Sequence, residues 1–157
     1  MRKMIVPKVD ANSTSTAREW LDIPALARVE LTSEDSAFPF ESAVDGSNGS
    51  GWRAAASGRQ TLRLLFDAPQ RVAAIDLEFE EVEFSRTHEF ALRWSADGGR
   101  TFREIVRQQF NFAPPDVTVE RETYTVDLAG VTVLELVIVP DISGGAARAG
   151  VRAWRLA

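Results

Sequence analysis

The sequence predicts an all-β protein, a single β-sandwich of the jelly-roll type. Apolar residues alternate with polar ones in several short segments, which is the period of half-buried strands. Turn-forming residues separate these segments, and no long amphipathic helix interrupts them. A chain of 157 residues is long enough for one domain with a substantial core. We expect a polar N-terminal arm at residues 1–20 and the sandwich at residues 21–157.

The strands are predicted in order along the chain. The first covers Arg28 to Thr32, and the clearest alternates Ile75, Leu77 and Phe79 with acidic residues. The other predicted strands are Leu62–Phe66, Phe90–Trp94, Tyr124–Leu128, Val133–Val139 and Val151–Leu156. Turns are predicted at Asp45–Gly46, Asp67–Pro69, Asp97–Gly99, Pro114–Asp116 and Ser143–Gly145.

Composition excludes several classes of function. The net charge of -5 argues against nucleic acid and anionic membranes as partners. The chain has no cysteine and one histidine, which excludes disulfides, thiolate zinc sites and multi-histidine metal sites. The basic start lacks a following apolar run, so neither a signal peptide nor a membrane span is expected. The cytoplasm is the default expectation, with export left open.

Two loops are rich in turn residues and oxygen-bearing side chains. Ala43 to Trp52 contains three glycines and closes on the tryptophan, which predicts a rigid corner pinned to the core. Ser95 to Phe102 follows the pattern Ser-x-Asp-x-Gly-x-Thr-aromatic, in which Asp97 accepts backbone N–H bonds across a hairpin turn. This second loop resembles the Asp-box of sialidases. Sialidases carry several copies in longer chains, so a stable hairpin is the expectation here.

Taken together, these loops resemble those of discoidin-like domains, also called coagulation-factor C-type domains. The resemblance rests on Phe66–Val72, the strand that follows, Ser95–Gly99, the loop ending at Trp52, and the closing strand Val151–Leu156. It extends from Ile23 to Ala157. It implies a jelly roll similar in architecture to galactose-binding domains. Members of the discoidin-like family mostly bind glycans, phospholipid headgroups or proteins.

The resemblance also implies a structural calcium beside the first loop. Asp45 would supply a carboxylate, and Ala43, Asn48 and Ser50 would offer carbonyl or side-chain oxygens. The family adds a glutamate from the last strand, but Ala153 stands at that place here. The alternative is a metal-free Asx-type turn.

The ligand site is predicted from side chains that suit a sugar. Arg107, Gln109 and Asn111 offer planar polar groups for paired hydroxyls, and Phe112 offers a stacking ring. Arg86 and His88 are expected to donate hydrogen bonds from the rim. The alternatives are an exposed turn histidine at His88 and a core role for Phe112.

We therefore expect a non-catalytic module that binds carbohydrate through loops at one end of the sandwich. The alternative is a protein–protein interaction or assembly module of the same fold. An enzyme is not expected, because no strand–Ser–helix elbow is present and the acidic run at residues 78–83 fits a solvated face. Membrane insertion is not expected either, since Glu34, Asp35 and Glu41 surround the aromatic Phe38 and Phe40.

Overall fold

A computed structural model of the chain describes residues 19–46 and 49–157. In these ranges there are two short helices, α1 (Ile23–Leu26) and α2 (Glu41–Val44), and eight strands. The strands are β1 (Ala27–Leu31), β2 (Trp52–Arg53), β3 (Gln60–Glu80), β4 (Arg86–Ser95), β5 (Arg103–Phe112), β6 (Val119–Val139), β7 (Gly150–Val151) and β8 (Ala153–Leu156). The predicted N-terminal arm lies outside the described residues except for Glu19 and Trp20, and its boundary stays a prediction. None of the described helices is long and apolar enough to cross a membrane.

The strands pair antiparallel in the order β1-β3-β6-β4-β5, with β8 pairing the second half of β3 and a separate β2-β7 ribbon. β3 and β6 are each 21 residues long and pair along most of their length. Their register shifts between Leu65 and Ala74, where both strands bend. The first half of β3 therefore lies in one layer with β1, and the second half lies in the opposite layer with β8. Rings meet between the layers, with Phe79 of β3 at 5.0 Å from Phe90 of β4.

This continuity corrects one feature of the sequence prediction. Separate strands were expected before and after a turn at Asp67–Pro69, whereas the chain stays extended there and bends. Pro69 lacks an N–H donor, and it lies where the ladder between β3 and β6 is interrupted. The predicted strands Tyr124–Leu128 and Val133–Val139 join in the same way as β6.

The core lies between the two layers and is closed by two tryptophans. Trp52 and Trp154 are at most 1% exposed, and the Trp52 ring N–H donates to the carbonyl of Ser33 at 3.2 Å. The loop before Trp52 is therefore pinned to the core, as the sequence predicts. Inward residues of β3 alternate with outward ones, so Leu62 and Leu64 are buried on either side of Arg63.

The hairpin between β4 and β5 has the bracing that the sequence predicts. The Asp97 carboxylate accepts hydrogen bonds from the Ser95 and Thr101 hydroxyls, both at 2.6 Å, and from the Arg100 and Thr101 N–H groups at 3.0 Å. The hydroxyl bonds lead the causes that hold the pKa of Asp97 well below its usual range. Because β4 begins at one end of the sandwich and ends at the other, this hairpin marks the end opposite the β3–β4 loop.

Candidate functional site

A cleft of about 220 Å³ opens at the end of the sandwich where β3 ends and β4 begins. We call it the end cleft. Its walls are β2, the β3–β4 loop (residues 81–85), the β6–β7 loop (residues 140–149) and the start of the last strands. The side chains that carry charge in its lining are Arg53, Glu80, Glu81, Glu83, Arg86, Arg148 and Arg152. Irregular loops on a rigid β-scaffold are the usual place for binding residues.

The β3–β4 loop presents two apolar side chains to solvent at this cleft. Phe84 is 62% exposed and Val82 is 63% exposed, in contrast to the buried rings of the core. The Glu81 carboxylate nevertheless braces the backbone of this loop. That carboxylate accepts the backbone N–H groups of Glu83 at 2.9 Å and Phe84 at 3.4 Å. A large aromatic ring exposed to solvent contributes little to the core and suits contact with a ligand.

Arg86 joins the two loops that form the cleft. Its Nε donates to Glu81 at 2.6 Å, and its Nη1 donates to the carbonyl of Pro140 at 2.6 Å. The side chain is 6% exposed and its guanidinium lies 5.0 Å from the centre of the Phe112 ring. Burial would raise the pKa of Glu81, but hydrogen bonds from the Glu83 backbone and from Arg86 outweigh it and lower that pKa. The pair is therefore ionised at neutral pH, and Arg86 positions the cleft walls.

The residues predicted to form the ligand site do not all lie together. Arg86 lines the end cleft, but its donors are already used within the protein. Arg107, Gln109 and Asn111 lie on the exposed outer face of β5, away from the core. Their polar groups form hydrogen bonds to β4. Arg107 and Gln109 donate to the Glu89 carboxylate at 3.1 and 3.0 Å, and the Asn111 amide oxygen accepts from the Thr87 hydroxyl at 2.5 Å.

His88 and Phe112 point the opposite way, into the core. They are 1% and 2% exposed, and their ring centres are 5.0 Å apart. His88 also contacts the ring of Phe79 and the carboxylate of Glu120. Burial, with the charge of Arg86 adding to it, lowers the pKa of His88 to about 3, so its ring is neutral near neutral pH. Neither side chain reaches solvent, which corrects the expectation that His88 bonds and Phe112 stacks on a ligand.

Sequence reasoning missed the cleft residues Phe84, Arg53 and Arg148. One signal was present, because Val82 and Phe84 interrupt an otherwise polar segment between two strands. Apolar residues in such a segment are either folded back onto the core or displayed for binding. The sequence does not distinguish the two, since the outcome depends on the brace that Glu81 provides.

Solved structures match this architecture, although neither a family model nor a curated protein matches the chain. A family 32 carbohydrate-binding module from NanJ of Clostridium perfringens, solved with galactose, has a TM-score of 0.63 at 12% identity, over 87% of this chain and 96% of that one. Another module from C. perfringens, solved with GlcNAc-α-1,4-galactose, has a TM-score of 0.65 at 14% identity, over 89% and 95%.

The chain has the discoidin-like jelly-roll fold. A family 29 fucosidase from Ruminococcus gnavus contains the same arrangement within a longer chain, with a TM-score of 0.70 at 6% identity over 92% of this chain and 28% of that one. At these identities the likeness concerns the fold alone.

The calcium that a discoidin-like fold implies can be tested against the residues beside the first loop. A small cavity there is lined by Ala43, Gly46 and Gly49 from the loop and by Arg152, Ala153 and Arg155 from the last strands. Its one lining carboxylate, Glu78, already pairs with Arg152 at 3.1 Å and Arg121 at 3.0 Å.

Calcium binds six to eight oxygens, and a nearby guanidinium opposes it. No group of three or more His, Asp or Glu side chains within residues 19–46 and 49–157 is arranged to hold a metal. Of the predicted ligands, Asn48 lies outside the described residues, while Asp45 and Ser50 are exposed and Ala43 is buried. The described residues do not fit a calcium ion.

Proposed function

We propose that the chain is a non-catalytic carbohydrate-binding module and that the end cleft holds the glycan. The observation that carries the proposal is Phe84, a ring displayed on a braced loop beside a cleft with polar walls. Small-molecule sites combine apolar surface with a few fixed polar groups, and a pyranose presents both an apolar C–H face and hydroxyls. Phe84 supplies the apolar surface, and Arg53, Arg148 and Glu83 of the cleft supply groups for hydroxyls.

The comparisons support a sugar as the ligand. The similar modules were solved with galactose and with GlcNAc-α-1,4-galactose, and they cover nearly all of this domain. Fold likeness alone is an analogy, so the proposal rests on the residues of the cleft.

The carboxylates of the cleft support binding without catalysis. Glycoside hydrolysis by the usual route requires two carboxyl groups, one of them protonated as the acid. Glu80 pairs with Arg152 at 2.8 Å and Glu81 pairs with Arg86 at 2.6 Å. Because the pKa of Glu81 is lowered, this carboxyl is a poor proton donor at neutral pH.

The first test is a glycan array, followed by calorimetric titration of the strongest glycan. We expect Phe84→Ala to weaken binding at least about tenfold, because it removes the stacking surface without disturbing the core. Asn111→Ala is the matched control, since it changes an exposed residue of the outer β5 face. We expect it to bind as the wild type does.

The reverse result would assign the glycan to a different surface of the protein. Binding that survives Phe84→Ala and is lost in Asn111→Ala would place the glycan on the outer face of β5, with Arg107 and Gln109. Unchanged melting temperatures of both variants confirm that neither result reflects misfolding.

One observation favours the alternative, a protein-interaction module. Ile142 is 48% exposed, and its N–H donates to the carbonyl of Thr87 at the same end as Val82 and Phe84. Exposed apolar side chains at one end also suit a protein partner. A folded protein that binds no glycan on the array, and whose self-association or capture of a partner is lost in Phe84→Ala, would establish that alternative.

A further inference from the structure

Arg53 is the arginine of the end cleft whose guanidinium has no anionic partner. Within residues 19–46 and 49–157 it makes no ion pair and no side-chain hydrogen bond, and it lies over the Phe38 ring at 4.7 Å from the ring centre. The other arginines of the lining differ in this respect. Arg86 and Arg152 are paired with glutamates, and Arg148 lies 4.0 Å from Asp35. An exposed cation is thus left uncompensated at the cleft.

The position of Arg53 is fixed by its backbone. It belongs to β2, pairs with Gly150 of β7, donates its N–H to the carbonyl of Phe38 at 3.2 Å, and accepts the N–H of Asp35 at 2.9 Å. Stacking on Phe38 restricts the guanidinium plane in addition. A planar guanidinium held in this way loses little freedom when it forms two parallel bonds to a carboxylate.

The acidic residues of the cleft do not cancel this charge. Glu80 and Glu81 are each committed to an arginine, at 2.8 and 2.6 Å. Glu83 lies on the β3–β4 loop, whereas Arg53 lies on the β2 wall. The protein carries a net charge of -5, yet Arg53 stands on this wall as a cation with no ion pair among the described residues.

We propose that the glycan of this site is acidic, and that Arg53 binds the carboxylate of a sugar while Phe84 contacts the ring. The inference rests on the proposed function, since it names the sugar class for the same cleft. A uronate and a sialate share this carboxylate chemistry, and the ligands of the test distinguish them.

The test compares matched acidic and neutral ligands on the intact chain by calorimetry. The pairs are trigalacturonate with its methyl ester, and 3′-sialyllactose with lactose. We expect one acidic ligand to bind at least about tenfold more tightly than its neutral partner, and that preference to decline as salt is added. Which acidic ligand does so identifies the uronate or the sialate.

The variants assign the preference to Arg53. Arg53→Gln is expected to lose about tenfold in affinity for the acidic ligand and clearly less for the neutral one, because the amide can still bind a hydroxyl but not pair with a carboxylate, and Arg53→Lys is expected to lie between it and the wild type. Arg100→Gln removes the same charge from the exposed hairpin at the opposite end and is expected to match the wild type. A melting temperature for each variant verifies the fold.

Three contrary results are distinguishable. Equal affinity for acidic and neutral partners, with binding still lost in Phe84→Ala, overturns the carboxylate inference and leaves the proposed function standing. No binding of any glycan by the folded wild type overturns both. An acidic preference that Arg53→Gln leaves intact also overturns the role of Arg53.

Discussion

Gly51 is a position where the first loop leaves no room for a side chain. Its φ is +81°, and a Cβ there would lie 2.3 Å from the carbonyl oxygen of Val151 and 2.6 Å from the Cα of Arg152. Both neighbours are backbone atoms, so relief requires moving the loop away from the last strands. We expect Gly51→Ala to destabilise the protein by about 2–4 kcal/mol, through backbone strain and lost packing. Thermal unfolding followed by circular dichroism measures this.

A substitution at Gly58 separates the cost of backbone strain from the cost of lost packing. It has a similar φ of +86°, but a Cβ there meets nothing within 4 Å. Gly58→Ala therefore carries the conformational cost alone, and we expect it to be milder at about 1 kcal/mol. Equal losses in the two variants would mean that the close approach at Gly51 does not matter.

Single residues also show what the sequence could predict. The Asp97 turn and the Trp52 anchor were predictable, because their partners lie nearby in sequence or in an apolar core that any tryptophan seeks. His88 was not predictable. Period-two alternation shows which residues share a face, but it does not show that the face of His88 packs against Phe79 in the other layer.

At the scale of elements, β5 and β6 are joined across the edge of the sandwich by a polar network. Gln108 of β5 donates to the Glu122 carboxylate of β6 at 2.5 Å and accepts from the Tyr124 hydroxyl at 2.6 Å. Burial, followed by the neighbouring Glu120, raises the pKa of Glu122 to about 7. The folded protein thus binds a proton that the unfolded chain has already released at about pH 4.5.

This network gives a stability that depends on pH. A raised folded pKa means that the contribution of Glu122 is fully present below pH 4.5 and is lost as the pH rises through about 7. Glu122→Gln remains uncharged at every pH, so its free energy of unfolding should rise relative to that of the wild type between pH 5 and pH 8. Because Glu122 is partly exposed, we expect a relative gain of about 1 kcal/mol, roughly 2–4 °C in melting temperature.

Glu89→Gln is the control of opposite sign. Hydrogen bonds from Gln109, and then Arg107, hold the pKa of Glu89 below its usual range. The contribution of Glu89 is therefore present above the unfolded pKa and is lost only in acid, so Glu89→Gln should be less stable than the wild type by the same amount at pH 5 and at pH 8. If the difference between Glu122→Gln and the wild type is the same at both pH values, Glu122 does not titrate as described.

Over the whole molecule, the fold was predictable and the end cleft was not. Strands such as Ile75–Phe79 show their buried face in sequence, and a sandwich follows from several such strands separated by turns. The end cleft depends on the β3–β4 and β6–β7 loops, which meet because the start of β4 pairs with the end of β6, far away in sequence. Arg86 and Pro140 are far apart in sequence, and nothing local to either one indicates their contact.

We expect the same long-range assembly to determine the response of the whole domain to calcium. The last strands bring Arg152 and Arg155 to the cavity beside the first loop. The discoidin-like resemblance implies a glutamate in this cavity, at the position that Ala153 occupies here. Cationic side chains thus lie beside the position where a calcium ligand would be, and they oppose a bound cation. We expect the melting temperature to be the same in buffer with calcium and in buffer with EDTA, as measured by differential scanning calorimetry.

The reciprocal variant makes this expectation specific to two residues. Ala153→Glu combined with Arg155→Gln places a carboxylate at the expected position and removes one guanidinium. If that variant melts at a higher temperature in calcium while the wild type does not respond, these two residues account for the calcium independence of the natural chain. If calcium stabilises the wild type itself, the oxygens of the first loop suffice to hold the ion, and the cationic lining does not exclude it.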